Sequence, residues 1–330
     1  MIPYFRRFKP LLIATCLVAT WNGWLTAQTP YVDELRTRAE AGDTVAQFNL
    51  GFVYDAGEGV PQNDTVAVLW WRLAADQGHV GAQSMLGYAY GSGRGVPQSD
   101  TEAVRWYRLA AEQGLRDAQF NLGFVYDAGR GVPENVTEAV RWWRLAADQG
   151  HVEAQTRLGF AYGIGRGVAQ NATEAVRWYR LAAGQGDAAA QYNLGVSCAE
   201  GLGVRKNATE AARWYRLAAD QGLESAQLAL GIMYKDGVGV VQDHAEAVRW
   251  FRLAADQGDG GAQVNLGLAY GFGRGIPVNF VMAYMWVTLA ASRNETAVEL
   301  RDRIATLLTP EQLAEGQRLA LEWDAAHPLD

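Results

Sequence analysis

One tryptophan fixes what this chain can fold into. It stands at Trp70, Trp106, Trp142, Trp178, Trp214, Trp250 and Trp286, each step 36 residues with no insertion. Gln47, Gln83, Gln119, Gln155, Gln191, Gln227 and Gln263 keep the same period, and so do Gly51, Gly87, Gly123, Gly159, Gly195, Gly231 and Gly267. A period of this length marks one supersecondary unit copied along the chain. Each copy cannot bury its apolar face alone and must stack on the next. Seven complete units run over 43–294. A partial one over 28–42 has Ala39, Ala41 and Gly42 in the phase of Ala75, Gln77 and Gly78. The 37 glycines beside 12 tryptophans read as punctuation of this unit.

Each unit parses into two helices. In the second, helix A covers Ala82 to Tyr90 and ends in the turn Gly91 to Gly95, where glycines take left-handed positions at little cost. Val96-Pro97 leads to helix B. Ser99 is its N-cap, Glu102 offers the reciprocal partner of a capping box, and Gln113-Gly114 stops it. The cap column (Asn63, Ser99, Asn135, Asn171, Asn207, Asp243, Asn279) holds only strong N-cap types. On helix A, Ala82, Leu86, Gly87 and Tyr90 share one side, and on helix B Ala103, Tyr107 and Ala110 do the same. Units also agree at twice the period. Residues 46–57 are identical to 118–129, so alternate units should carry like surfaces.

The residues Ala82-Gln83, Leu86-Gly87, Tyr90, Gly93 and Gly95-Val96, followed by Glu102, Trp106, Leu109 and Gln113-Gly114, resemble the Sel1-like repeat, a longer relative of the tetratricopeptide repeat. The resemblance implies an all-α, right-handed α-solenoid of seven 36-residue helix-turn-helix repeats, its A helices lining the concave side. It also implies protein–protein scaffolding by exported bacterial proteins. Some Sel1-like families with a cysteine pair in each repeat are linked to β-lactams. The pairs are missing here, so that link does not carry over.

The two ends read differently from the repeats. Residues 1–27 have the pattern of an export signal: Arg6, Arg7 and Lys9 precede the apolar stretch Leu11 to Ala19, and Ala27 offers a small residue for cleavage. Cleavage would place the protein in the periplasm or outside the cell, with Cys198 as its only cysteine and no internal disulfide. Retention of the segment as an anchor is the alternative. No later stretch is apolar enough to span a bilayer. At the other end the helix B of the last unit, Asn279 to Ala291, is apolar nearly all round. Helices within 295–330 should cover it as a C-terminal cap, the last one opening at Thr309-Pro310-Glu311-Gln312.

Catalytic chemistry is hard to find. The net charge of −7 argues against nucleic acid. His79, His151, His244 and His327 have no metal-ligand spacing, and the first two read as solvated inter-repeat residues. No Ser-x-x-Lys or Gly-x-Ser-x-Gly exists, and the glycine loops join helices rather than follow strands. Cys198 replaces a repeat tyrosine and reads as a buried thiol. No metal, cofactor or catalytic group is therefore expected. The helix B column holds Arg72, Arg108, Arg144, Arg180, Arg216 and Arg252, and all but Arg180 precede an acid four residues on, which suggests an exposed ladder of ion pairs, with a specificity stripe for a partner as the alternative.

A protein or peptide is the expected partner. By the resemblance to tetratricopeptide repeats, the concave positions of unit one are Val45, Phe48, Asn49, Phe52, Asp55 and Ala56. Asn49, Asn121, Asn193 and Asn265 recur in alternate units and could bond a ligand's main chain, though the lysines that accompany them in related solenoids are absent. Phe48, Phe120, Tyr192, Phe52, Tyr88, Phe124 and Phe160 could anchor an extended peptide or helix, with packing between helices as the alternative for the column of Phe52. Asp55 and Asp127 are groove-facing or solvated acids, and Arg94, Arg130, Arg166 and Arg274 are a third candidate set. The leading expectation is an exported, non-enzymatic adaptor. A secreted effector or adhesin binding a host protein, and a cell-wall or β-lactam-related hydrolase, are the alternatives.

Overall fold

The computed structural model describes the backbone of residues 21–292 and 295–327, and side chains from residue 30 onward. The charged and apolar head of the export segment, residues 1–20, lies outside the described residues, as do 293–294 and 328–330. Every regular element among the described residues is helical. The chain divides into two compact units, Met1–Leu115 and Arg116–Asp330.

The first unit holds α1 (Trp21–Glu40), α2 (Thr44–Ala56), α3 (Asp64–Asp76), α4 (Val80–Ser92) and α5 (Asp100–Glu112). The position Ala27 lies within α1, which also contains Pro30. The second unit continues the alternation. Its A helices are α6 (Arg116–Ala128), α8 (Val152–Ile164), α10 (Ala188–Glu200), α12 (Glu224–Asp236) and α14 (Gly260–Phe272). Its B helices are α7 (Val136–Asp148), α9 (Ala172–Gly184), α11 (Ala208–Asp220), α13 (His244–Asp256) and α15 (Phe280–Ala291). The terminal helices α16 (Glu295–Ala305) and α17 (Pro310–Ala326) complete it. Helix A of each hairpin is longer than its apolar stripe, as α4 shows: it starts two residues before Ala82 and ends two after Tyr90.

The repeat columns each have a structural reason. Leu50, Leu86, Leu122, Leu158, Leu194, Leu230 and Leu266 are all 0% exposed. The glycine one residue later lies against the ring of its own hairpin's B helix: Gly87 on Tyr107, Gly159 on Tyr179, Gly231 on Phe251. A Cβ there would collide with the ring, so helix A can approach helix B only without one. Trp106, Trp178 and Trp250 are buried almost completely, whereas Trp70 and Trp214 are half-buried.

The glutamine column forms a buried polar ladder. Gln155 donates Nε2 to the Ala147 carbonyl at 3.1 Å and accepts from Gln185 Nε2 at 2.8 Å. Gln47 does the same with Ala39 and Gln77, and Gln227 with Ala219 and Gln257. A buried amide left unpaired is costly, and both glutamines of the pair are kept in six of the seven copies, with Arg293 in the register of the second glutamine in the last.

Two expectations need correction. Ser99 does accept the Glu102 N–H, but its own N–H goes to the Tyr90 carbonyl at 2.9 Å, and Glu102 pairs with Arg105 instead. Every cap in the column uses its N–H this way, from Asn63 on Tyr54 to Asn279 on Tyr270, which closes the loop between helices A and B and leaves no place for the reciprocal half of the box. Among the described residues both halves form only at Thr309 and Gln312, where α17 begins. The arginine ladder is also wrong. Arg72, Arg144, Arg216 and Arg252 reach forward to the hydroxyls of Tyr90, Tyr162, Tyr234 and Tyr270 in the next hairpin. Arg72 and Arg216 also lie over the rings of Trp106 and Trp250. The guanidinium prefers an aromatic wall and a phenol to a solvated carboxylate one turn away.

The C-terminal helices cover α15 as expected. Ala297, Ile304 and Ala320 join its core, Trp323 meets Trp286 edge-on at 5.8 Å, and Gly316 lies against the Tyr284 ring.

Candidate functional site

The A helices present one face to solvent two positions after the buried leucines, and the expected partner-binding residues lie on it. The structure sorts them into three groups.

The first group holds hairpins together. Phe48 lies tilted against the His79 ring at 4.3 Å and meets Phe52 edge-on at 4.8 Å; Phe120 stacks on His151 at 4.4 Å. These histidines are not solvated residues. Each caps helix A of its hairpin by accepting an N–H at Nδ1, from Ala82 at 3.2 Å and from Ala154 at 3.3 Å. Burial lowers both imidazoles below their ordinary value of 6.5, against the opposing pull of Glu153 and Asp117 on His151. Asp55 and Asp127 are also employed. Arg94 approaches Asp55 at 3.0 Å while its Nε and Nη2 bond Asp64; Arg166 lies 2.9 Å from Asp127 and 3.7 Å from Glu134. Arg94 and Arg166 thus bridge consecutive hairpins, and their acids are partnered. Burial pushes the Asp55 carboxyl above its ordinary value of 3.8, opposed by Arg94 and reinforced by Asp64.

The second group is partly engaged. Asn193 and Asn265 donate Nδ2 to carbonyls of their own helix, Ala189 at 2.9 Å and Gly261 at 2.8 Å. Asn49 and Asn121 are half-buried and make no side-chain hydrogen bond among the described residues. Tyr88 is half-buried and has a partner.

The third group is open. Phe52 is 36%, Phe124 37% and Phe160 49% exposed, although Phe52 also meets the Trp71 ring at 5.5 Å. Beside Phe124 stands Arg157, a residue the asparagine column hides because it occupies the same register between Asn121 and Asn193. Its guanidinium lies over Phe120 at 5.9 Å, Phe124 at 5.5 Å and Trp143 at 5.4 Å. It has no ion pair among the described residues, and burial lowers its pKa. A half-buried cation on three rings, edged by two exposed phenylalanines, is the chemistry of an interface anchor. An arginine at a concave register was the available signal.

Among the described residues no group of three or more His, Cys, Asp and Glu could hold a metal. Cys198 is buried, and burial raises its thiol pKa. No described helix is long and apolar enough to cross a membrane.

The Sel1 repeat matches seven times, at 44–79, 80–115, 116–151, 152–187, 188–223, 224–259 and 261–295. The chain belongs to the Sel1 repeat family. Its hairpins resemble those of a Sel1 repeat protein from Oxalobacter formigenes, with 34% identity, 85% of this chain and 81% of that one covered, and a TM-score of 0.68. A protective antigen of uropathogenic Escherichia coli, c5321, is 29% identical over 90% of this chain and 87% of its own, with a TM-score of 0.46. The immunity protein Pa5087 of Pseudomonas aeruginosa is 20% identical over 76% of this chain and 84% of its own, with a TM-score of 0.37. No curated protein matches the chain. Sel1 repeat proteins are protein-interaction scaffolds, and the α-solenoid of 36-residue hairpins here is of that kind.

Proposed function

We propose that this chain is an exported, non-enzymatic scaffold that binds a protein partner through the exposed face of its A helices, with Phe124, Arg157 and Phe160 at the centre of contact. One observation carries the reading. On helices whose leucines are fully buried, two phenylalanines stay exposed near an arginine that lies over rings and has no ion pair among the described residues. Arg157 packs across the junction onto rings of the preceding hairpin, the edges of the two phenylalanines stay open, and aromatic and arginine side chains are the usual anchors of interfaces. Export is supported by the order of basic and apolar residues in 1–27.

Cross-linked capture from native cells tests the reading. The combined variant Phe124→Ala, Arg157→Ala and Phe160→Ala, with helicity matched to wild type, should lose a specific partner. A variant on the B helices, Arg105→Ala with Arg177→Ala, should keep it. Capture unchanged by the first variant would overturn the assignment of the face. For export, fractionation and N-terminal sequencing should find a shortened chain outside the cytoplasm; a cytoplasmic chain that retains Met1 would overturn that part.

A further inference from the structure

The junction between the sixth and seventh hairpins carries a site of its own. A small pocket of about 90 Å³ opens there, lined by Lys235, His244, Asn265 and Arg274 and walled by Phe251 and Phe272. Three of its polar residues occupy the columns that form acid–arginine bridges elsewhere. Arg274 is in register with Arg94 and Arg166, Lys235 with Asp55 and Asp127, and His244 with Asp64. At the first junction the arginine is flanked by two carboxylates. At this one both positions are basic or neutral nitrogen groups, and Arg274 has no carboxylate within ion-pair reach among the described residues.

The remaining polar contacts leave the cavity short of negative charge. Lys235 Nζ is 3.4 Å from Asn265 Oδ1 and 3.7 Å from Asp236, a carboxylate that is 49% exposed. Asn265 gives its Nδ2 to Gly261. Arg274 lies over the Phe272 ring at 5.3 Å. His244 Nδ1 is buried with no hydrogen-bond partner, on the first residue of α13, where the helix end adds positive potential. Two cations faced by one half-exposed carboxylate leave room for a further anion.

We infer that this pocket binds an organic carboxylate, the group missing here from the registers of Asp55 and Asp64, with Lys235 and Arg274 around the carboxylate oxygens, His244 beside them and the stem of the ligand against Phe251 and Phe272. Its position at the end of the A-helix face, where Asn265 and Phe272 are neighbours on α14, makes the C-terminal carboxylate of a peptide its ligand. That identity rests on the scaffold reading above; the carboxylate site itself does not.

The test is an NMR titration of the His244 ring signals in the full chain. The probes are N-acetyl-Ala-Ala-Leu-Leu as the free acid, the same peptide as its C-terminal amide, butyrate, and inorganic phosphate. The expected result is a saturable shift with the acid and none with the amide. Lys235→Ala or Arg274→Ala should weaken the response roughly tenfold or more, as expected for lost hydrogen bonds to a charged group, while Arg94→Ala leaves it unchanged. A response to butyrate as tight as that to the peptide supports the carboxylate site and makes a free acid its ligand, removing only the peptide assignment. No response to either acid, equal responses to acid and amide, a tighter response to phosphate, or a response indifferent to both variants would overturn the inference. Partner capture that survives Arg274→Ala but fails with the Phe124, Arg157 and Phe160 variant separates failure here from failure of the scaffold reading.

Discussion

The first and the sixth-to-seventh hairpin junctions share a backbone and differ in charge. At one, Gly95 at φ 72° sits against the Asp64 carbonyl; at the other, Gly275 at φ 73° sits against the His244 carbonyl. A side chain at either glycine would strike that carbonyl, so the closure permits no substitute. The groups around it do change: Asp55, Arg94 and Asp64 in one case, Lys235, Arg274 and His244 in the other. The contrast shows that stacking depends on buried columns. The partly exposed charges at each junction contribute little to stability and can diverge toward binding.

The largest expected effect breaks the shared frame. Trp178→Ala removes an almost fully buried indole and should cost about 3–5 kcal/mol in denaturant unfolding. The half-buried Trp214 should cost less when truncated. Next comes the polar ladder: Gln155→Leu removes the bonds to the Ala147 carbonyl, which keeps the Gly150 N–H, and to the exposed Gln185 amide, and should cost about 0.5–1.5 kcal/mol by the same measurement. Exchanging charges between the junctions sharpens the comparison directly. Lys235→Asp gives Arg274 the acid it lacks, so it should raise stability by up to about 1 kcal/mol and abolish the response to carboxylate probes. Asp55→Lys should lower stability by a similar amount.

The smallest effects are titrations. The Asp55 carboxyl is raised above 3.8 in the folded chain, so its contribution is complete below that value and is lost as pH rises through the higher folded value. Asp55→Asn should flatten that fall in a pH series of melts. His151 is lowered below 6.5, so its contribution is present above 6.5 and is lost as pH falls through the lower folded value. His151→Asn keeps a capping oxygen and should remove that loss.

Periodicity made the hairpins, the cap column and the terminal cover legible from residue types alone, because burial and capping act through spacing. The partners of charged residues were not legible that way. Asp55 and Arg94 are 39 residues apart, and only the stacking of hairpins brings them to 3.0 Å. The same holds for Arg72 and Tyr90, whose pairing overrides a nearer acid in sequence. Arg157 was hidden by attention to what repeats, since its meaning lies in departing from the asparagine column. Phe48 and Phe120 looked like anchors until the histidines of the following hairpins accounted for one face of each ring.

The central claim is that the repeated columns build the stack while departures on the A-helix face bind the partner. Hydrogen exchange of the full chain, free and with its cross-linked partner, tests it most directly. The account predicts slower exchange in the exposed turns of α6 and α8 around Phe124, Arg157 and Phe160, with the B helices α7 and α9 unchanged. Protection confined to α7 and α9 would contradict it.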